Sequence, residues 1–262
     1  MVQFLVMEPK YVDVHTHTHF SDYGEDRKAV LARAFEAGVW MIQAGTQKES
    51  SVEAVTLAQA YPLGVYASVG LHPTKSCGAS FEEFDYEYYK QLAGDPKVVA
   101  IGECGLDYYR LSEETKEKQK ESFERQIILS LEVGKPLMLH IRDAYEDALD
   151  VLRAHKGAQG NVHFFAGSLS VAKQFLDLGF TLSFTGVITF THDYDDVIKN
   201  MPLARILSET DAPYVAPVPH RGKRNEPAYV ALVAKQIAAI RGEDEHKVYA
   251  SLVQNARRVF DI

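Results

Sequence analysis

The sequence predicts an α/β chain folded as a (β/α)8 barrel, and three observations carry that expectation. Short apolar runs alternate with longer amphipathic ones eight times along the 262 residues. The apolar runs are mostly unbroken by charge, as parallel strands covered on both faces should be. Histidines and acids recur at the ends of those runs, and the C-terminal ends of the strands are where such a barrel gathers its functional side chains. A doubly wound open sheet is the structural alternative.

Taken in order, the first strand is expected over 11–15 (Tyr-Val-Asp-Val-His) and leads to a helix over 26–37 that Gly38 closes. The second unit pairs a strand over 39–44 with a helix over 49–60. The third pairs 65–70 with 81–93, and the fourth pairs 98–103 with a long helix over 113–133, ended by Gly134. Then come 136–140 with 144–155, 161–165 with 170–178, and 180–184 with 193–200. The eighth strand is expected over 205–209, followed by helices over 227–240 and 243–261.

With 46% hydrophobic and 24% charged residues, the composition is ordinary for a globular chain and supplies a sizeable core. A barrel of this class takes about 250 residues as one domain. No Pro/Gly/Ser linker, low-complexity tract or composition shift interrupts the chain, so 1–262 is expected to form a single domain. The formal net charge of −8 argues against a surface that coats nucleic acid non-specifically, while allowing a local cationic pocket. Cys77 and Cys104 make no disulfide framework and suit a reducing compartment, so a cytoplasmic location is expected. The start of the chain has a short apolar run without a basic region or a small-residue cleavage site, so no secretory leader is expected. No apolar stretch is long enough to span a bilayer.

The chemistry lies at the strand ends. In Asp13-Val14-His15-Thr16-His17, residues two apart on a strand share a face, so His15 and His17 can present two imidazoles to one ion. Glu103 ends the fourth strand in Gly102-Glu103-Cys104-Gly105-Leu106-Asp107. His140 ends the fifth, His163 lies in the sixth, and Asp211 follows the eighth in Ser208-Glu209-Thr210-Asp211-Ala212-Pro213. Any one of these could be a hydrogen-bonded cap on a strand. Six residues of metal-ligand type at the same end make a shared cation site the better reading. Four imidazoles and two carboxylates suit zinc, manganese, nickel or iron, and can hold magnesium through the oxygens.

His72, at the end of the third strand, is expected to face the mouth and touch substrate. Arg142, two residues past His140, carries a planar fork suited to phosphate. Arg221, Lys223 and Arg224 follow the eighth strand, where barrels often bind phosphate, and Lys223 and Arg224 are candidates with Arg142. Tyr108 and Tyr109 could stack on a base or pack at the rim. Cys104 is expected to point away from Glu103 as buried packing. His19, His155, His192, His220 and His246 lack a strand-end context that would assign them.

In sequence order, the segments 13–17, 70–73 (Gly-Leu-His-Pro), 102–107, 140–144 (His-Ile-Arg-Asp-Ala), 163–168 (His-Phe-Phe-Ala-Gly-Ser), 208–213 and 225–227 (Asn-Glu-Pro) resemble the TatD family of metal-dependent hydrolases, in the wider amidohydrolase-like superfamily. The resemblance implies a TIM barrel with a divalent-metal centre and nuclease activity on DNA. Phe164 and Ala166 stand where the family often has Cys and Thr, and Thr74 where many members carry His or an acid. None of these departures removes a proposed ligand; they bear on substrate preference.

The expected centre holds two divalent metal ions per chain (magnesium, manganese or zinc). His15, His17 and Asp211 serve the first, His140 and His163 the second, and Glu103 bridges them. Two such ions about 3.5–4 Å apart can clamp the attacking and leaving oxygens of an in-line displacement. Asp211 and Glu103 are the expected catalytic residues, with Asp211 accepting the proton of the attacking water. The expected activity is that of a deoxyribonuclease on single-stranded DNA ends, with RNA as a further substrate. The alternative is a hydrolase of small amides, lactones or phosphotriesters. Many such relatives bridge their metals with a modified Lys, where this sequence offers Glu103. A non-catalytic metal-bound protein would normally have lost ligands, and none is lost here. No P-loop, nucleophile elbow or dinucleotide turn competes.

Overall fold

Runs of branched and aromatic residues set the strands, and the computed structural model, which describes residues 8–77, 81–109 and 113–262, lays eight of them side by side in parallel. They are β1 (Tyr11–Thr16), β2 (Val39–Ala44), β3 (Val65–Val69), β4 (Val98–Asp107), β5 (Leu137–Arg142), β6 (Gly160–Val162), β7 (Thr181–Phe184) and β8 (Ile206–Ser208). Strand order in the sheet is sequence order. The last strand returns to the first: Thr16 bridges Ala212, the His17 N–H donates to the Ala212 carbonyl at 2.7 Å, and the Asp211 N–H donates to the His15 carbonyl at 2.9 Å. Closure of this kind removes the sheet's free edges. The architecture is the expected barrel and not the open sheet.

Nine helices are described: α1 (Arg27–Glu36), α2 (Lys48–Gln59), α3 (Tyr86–Ala93), α4 (Glu113–Val133), α5 (Tyr145–Ala154), α6 (Leu169–Asp177), α7 (Asp195–Asn200), α8 (Val230–Arg241) and α9 (Glu245–Phe260). They cover the strands, which is why nearly every strand residue is buried. Val12, Trp40, Tyr66, Met138 and Leu207, from five strands, share one apolar cluster with Ala256 and Phe260 of α9. Truncating a buried Phe such as Phe260 to Ala typically costs about 3–5 kcal/mol. Among the described residues, no helix is long and apolar enough to cross a membrane.

Among the boundaries that differ from the sequence expectation, three have a clear local reason. The third helix starts at Tyr86, not at 81, because the Asp85 carboxylate accepts the Tyr88 N–H and caps it there. The fourth strand runs on to Asp107, since Cys104–Asp107 continue the ladder against Leu139–Arg142 of β5. The sixth strand stops at Val162 and not at 165. Phe164 turns to φ 45°, and its N–H leaves the ladder to donate to a Glu209 oxygen at 2.6 Å.

Candidate metal centre

Asp13 anchors the first strand end. Its carboxylate accepts the N–H groups of His15 (3.3 Å) and Thr210 (2.8 Å) and the Thr210 hydroxyl (2.5 Å). These bonds tie β1 to the segment that carries Asp211, where the β1–β2 register slips between Asp13 and Thr16. His17 follows, with Nδ1 2.8 Å from the Ala44 carbonyl. A carbonyl only accepts, so the proton sits on Nδ1 and the Nε2 lone pair is left for the site. The Nε2 atoms of His15 and His17 converge to 3.2 Å, and Asp211 Oδ1 lies 3.7 Å and 3.5 Å from them.

Glu103, on β4 and 4% exposed, stands at the centre. Its Oε2 lies 3.4 Å from His15 Nε2 and 3.8 Å from His17 Nε2. Its Oε1 lies 3.3 Å from His72 Nε2, 3.0 Å from His140 Nδ1 and 3.1 Å from His163 Nε2. One carboxylate therefore faces two groups of imidazoles, one with each oxygen. Three overlapping sets have ligand atoms close enough to hold a cation: His15–His17–Asp211, His15–Glu103–His163 and His72–Glu103–His140.

Two buried acids stand behind the histidines. Asp107 Oδ2 is 2.9 Å from His140 Nε2, and Glu209 Oε1 is 3.3 Å from His163 Nδ1. Glu209 also accepts the Phe164 N–H and, at 2.5 Å, the Ser183 hydroxyl, so it joins β6, β7 and the chain after β8. A carboxylate behind a ligating imidazole fixes its tautomer and raises its basicity. Burial works against ionisation of Glu103, but His72, His15 and His163 outweigh it and hold its carboxyl well below the usual range. Asp211 is likewise depressed: burial opposes this, and the bond to His17 with the charges of His163 and His15 prevails. Burial disfavours the His163 cation, yet Glu103 and Glu209 raise its pKa well above normal. Burial lowers that of His15.

The mouth above is an open cavity of about 1000 Å³. His17, His72, Glu103, His140, His163, Asp211 and Arg142 line it. The structure thus brings His15, His17, Glu103, His140, His163 and Asp211 together, with His72 beside them against Glu103. Arg142 lies over the Tyr109 ring, its Cζ 3.7 Å from the centroid. Lys223 and Arg224 are not among the lining residues. Arg224 is tied instead to the Asp26 carboxylate (2.9 Å) and the Asp22 carbonyl (2.8 Å), over the Tyr23 ring. It clamps the chain after β1, while Arg221 of the same run lies over the Phe190 ring. Cys104 is buried, away from solvent.

The sequence reading missed Asp107, Glu209 and Lys75, and took His72 for a substrate contact only. A signal existed for the two acids: Asp107 is four residues past Glu103 on one strand, and Glu209 two before Asp211, and even spacing shares a face. Lys75 lines the cavity three residues past His72, in a turn with no strand period to read.

A barrel that gathers buried imidazoles and carboxylates under an open cavity at its C-terminal mouth defines a class, the metal-dependent barrel hydrolases. The family model described as TatD related DNase matches residues 12–261, and the chain belongs to that family. It is similar to the metal-dependent hydrolase YabD of Bacillus subtilis, 38% identical over 256 residues, covering 95% of this chain and 98% of YabD. It is also similar to the 3'-5' ssDNA/RNA exonuclease TatD of Klebsiella pneumoniae, 34% identical over 260 residues, covering 95% and 97%. Among solved structures, YjjV, a TatD homologue from Escherichia coli K12, superposes with a TM-score of 0.89 at 31% identity, covering 98% of this chain and all (100%) of that one.

Proposed function

We propose that this chain, acting as one hydrolase domain over 1–262, is a nuclease that hydrolyses phosphodiester bonds at the ends of single-stranded DNA, with RNA as a further substrate, using two divalent cations per chain. The observation that carries the reading is Glu103, whose two oxygens face two separate imidazole groups at 3.0–3.8 Å. The donor set fits divalent cations. A buried carboxylate ringed by five imidazoles, with the Nε2 atoms of His15 and His17 meeting at 3.2 Å, is an arrangement that a cation relieves.

His15, His17, Asp211 and Glu103 would hold the first ion; Glu103, His140 and His163 would hold the second, with His72 beside it. Such ions, when bound, lower the pKa of a water and neutralise charge on the phosphoryl oxygens. The protein's own groups do the rest. Asp211, ionised and at the cavity wall, takes the proton of the attacking water. Asp107 and Glu209 keep His140 and His163 turned toward the centre. Arg142, with Lys75 from the same cavity, grips a flanking phosphate. An unpaired end can enter a pocket ringed by loops, whereas a duplex about 20 Å wide cannot reach its floor.

The test is to incubate metal-loaded protein with end-labelled single-stranded DNA, RNA, duplex DNA, and a panel of esters and lactones. Shortening of single strands from an end is expected, with duplex cut far more slowly. Hydrolysis of lactones or esters with no attack on any strand would overturn the reading.

A further inference from the structure

Aromatic side chains crowd one arc of the cavity above the histidine cluster. Phe20 lies after β1, Phe164 after β6 and Tyr214 after β8, and all three line the cavity. The Phe20 ring is stacked on His17, with centroids 4.6 Å apart and planes at 14°. Tyr214 stands edge-on to His17 at 6.3 Å, and Phe164 edge-on to His163 at 6.2 Å. Each ring is therefore one imidazole away from Glu103. Tyr214 is 51% exposed, so its ring is open to whatever enters the cavity. Phe164 holds φ 45°, a left-handed backbone that a residue with a β-carbon rarely adopts, and the buried Glu209 secures it through the Phe164 N–H.

Charge divides the same mouth. Among the described residues, Lys75, after β3, and Arg142, in β5, are the Lys and Arg that line it. Glu49 and Glu53 of α2 line the side next to them. Asp22, beside Phe20, and Asp143, beside Arg142, line the mouth as well; a phosphate chain is drawn to the two cations and turned from the carboxylates, and Phe164 and Tyr214 stand apart from both Glu49 and Glu53 in the chain.

We propose that Phe164 and Tyr214 form a nucleobase subsite on which the terminal base of a single strand stacks, while the adjoining phosphate lies toward Arg142 and Lys75. The proposal rests on the nuclease reading above and adds the part of the substrate that the pocket grips. Every base has a π-face, so such a platform tolerates any sequence and selects for an unpaired, splayed end. Phe20, already stacked on His17, backs the wall.

The test uses a short DNA strand with phosphorothioate linkages that resist cleavage and 2-aminopurine at the 3' end, the 5' end or the middle. Stacking on an aromatic ring quenches 2-aminopurine. Metal-loaded parent protein should quench the probe at one end and not in the middle. Phe164→Leu, which keeps bulk without a π-face, and Tyr214→Ala, at an exposed position, should each lose the quench and bind about five- to a hundredfold more weakly. Unchanged quench and affinity in both variants, or equal quench at the middle position, would overturn the subsite. Cleavage of ordinary strands by the parent, measured alongside, separates the outcomes: if the parent cuts strands and both variants quench like it, only the subsite fails. If the parent cuts no strand at all, the nuclease reading fails and the subsite goes with it.

Discussion

Glu209→Gln tests whether a residue that never faces the cavity sets the strength of the metal centre. Glu209 makes three contacts: the Phe164 N–H at 2.6 Å, the Ser183 hydroxyl at 2.5 Å and His163 Nδ1 at 3.3 Å. Gln keeps the volume and one acceptor oxygen, which can still take the Phe164 N–H. It loses the charge behind His163. Removing such a partner typically costs 10–100-fold in metal affinity, about 1.4–2.8 kcal/mol. That loss should fall on the ion proposed for His140 and His163 and spare the one proposed for His15 and His17. Glu209→Ala should add about 1–3 kcal/mol of lost stability, because the buried Phe164 N–H is left without its acceptor. Calorimetric titration of metal-free protein with manganese reads the affinities, and denaturant unfolding reads the stabilities. Parental affinity for both ions in Glu209→Gln would refute the reasoning.

Other outcomes follow from the same geometry. Asp211→Asn should keep most of the bound metal and slow turnover by about 10²–10⁴-fold, read by metal analysis beside kcat; near-normal turnover would remove Asp211 from the catalytic list. Arg142→Ala should raise KM or cut kcat/KM for DNA with the metals retained, and affect a small uncharged ester much less. Against the cost of burial, Glu103 and Glu209 raise the His163 pKa well above normal, so the metal-free imidazole favours its extra proton. Metal binding must expel it, so affinity should rise with pH until the His163 pKa is passed and level off above it, with proton release seen as buffer-dependent binding heat. A chelator should inactivate the enzyme, and restored metal should recover it.

Much of this fold is legible in the sequence, since parallel strands covered on both sides must be apolar runs and helices between them must be amphipathic. Val39–Ala44 reads directly for that reason. The boundaries that escape are those set by single side chains, such as the Asp85 cap and the turn at Phe164. The strand-end histidines and acids were visible because type, spacing and position coincide. Lys75 escapes the sequence reading and the surroundings of Arg224 are not visible in it, since nothing periodic fixes a turn or a loop. Arg224 is claimed by Asp26, 198 positions away, a pairing that no local pattern announces. His72 sits in a Gly-Leu-His-Pro segment that places it at the mouth, but its contact with Glu103 appears only once β3 and β4 are neighbours.

Glu103 is proposed to hold two cations, one on each oxygen. Anomalous diffraction from crystals grown with manganese measures this directly. Two peaks are expected, one among His15, His17 and Asp211 and one by His140 and His163, with the Glu103 carboxylate between them, and the same data from Glu103→Gln should show one or both peaks weakened or lost. A single peak in the parent, or two peaks that Glu103 does not touch, would contradict the account.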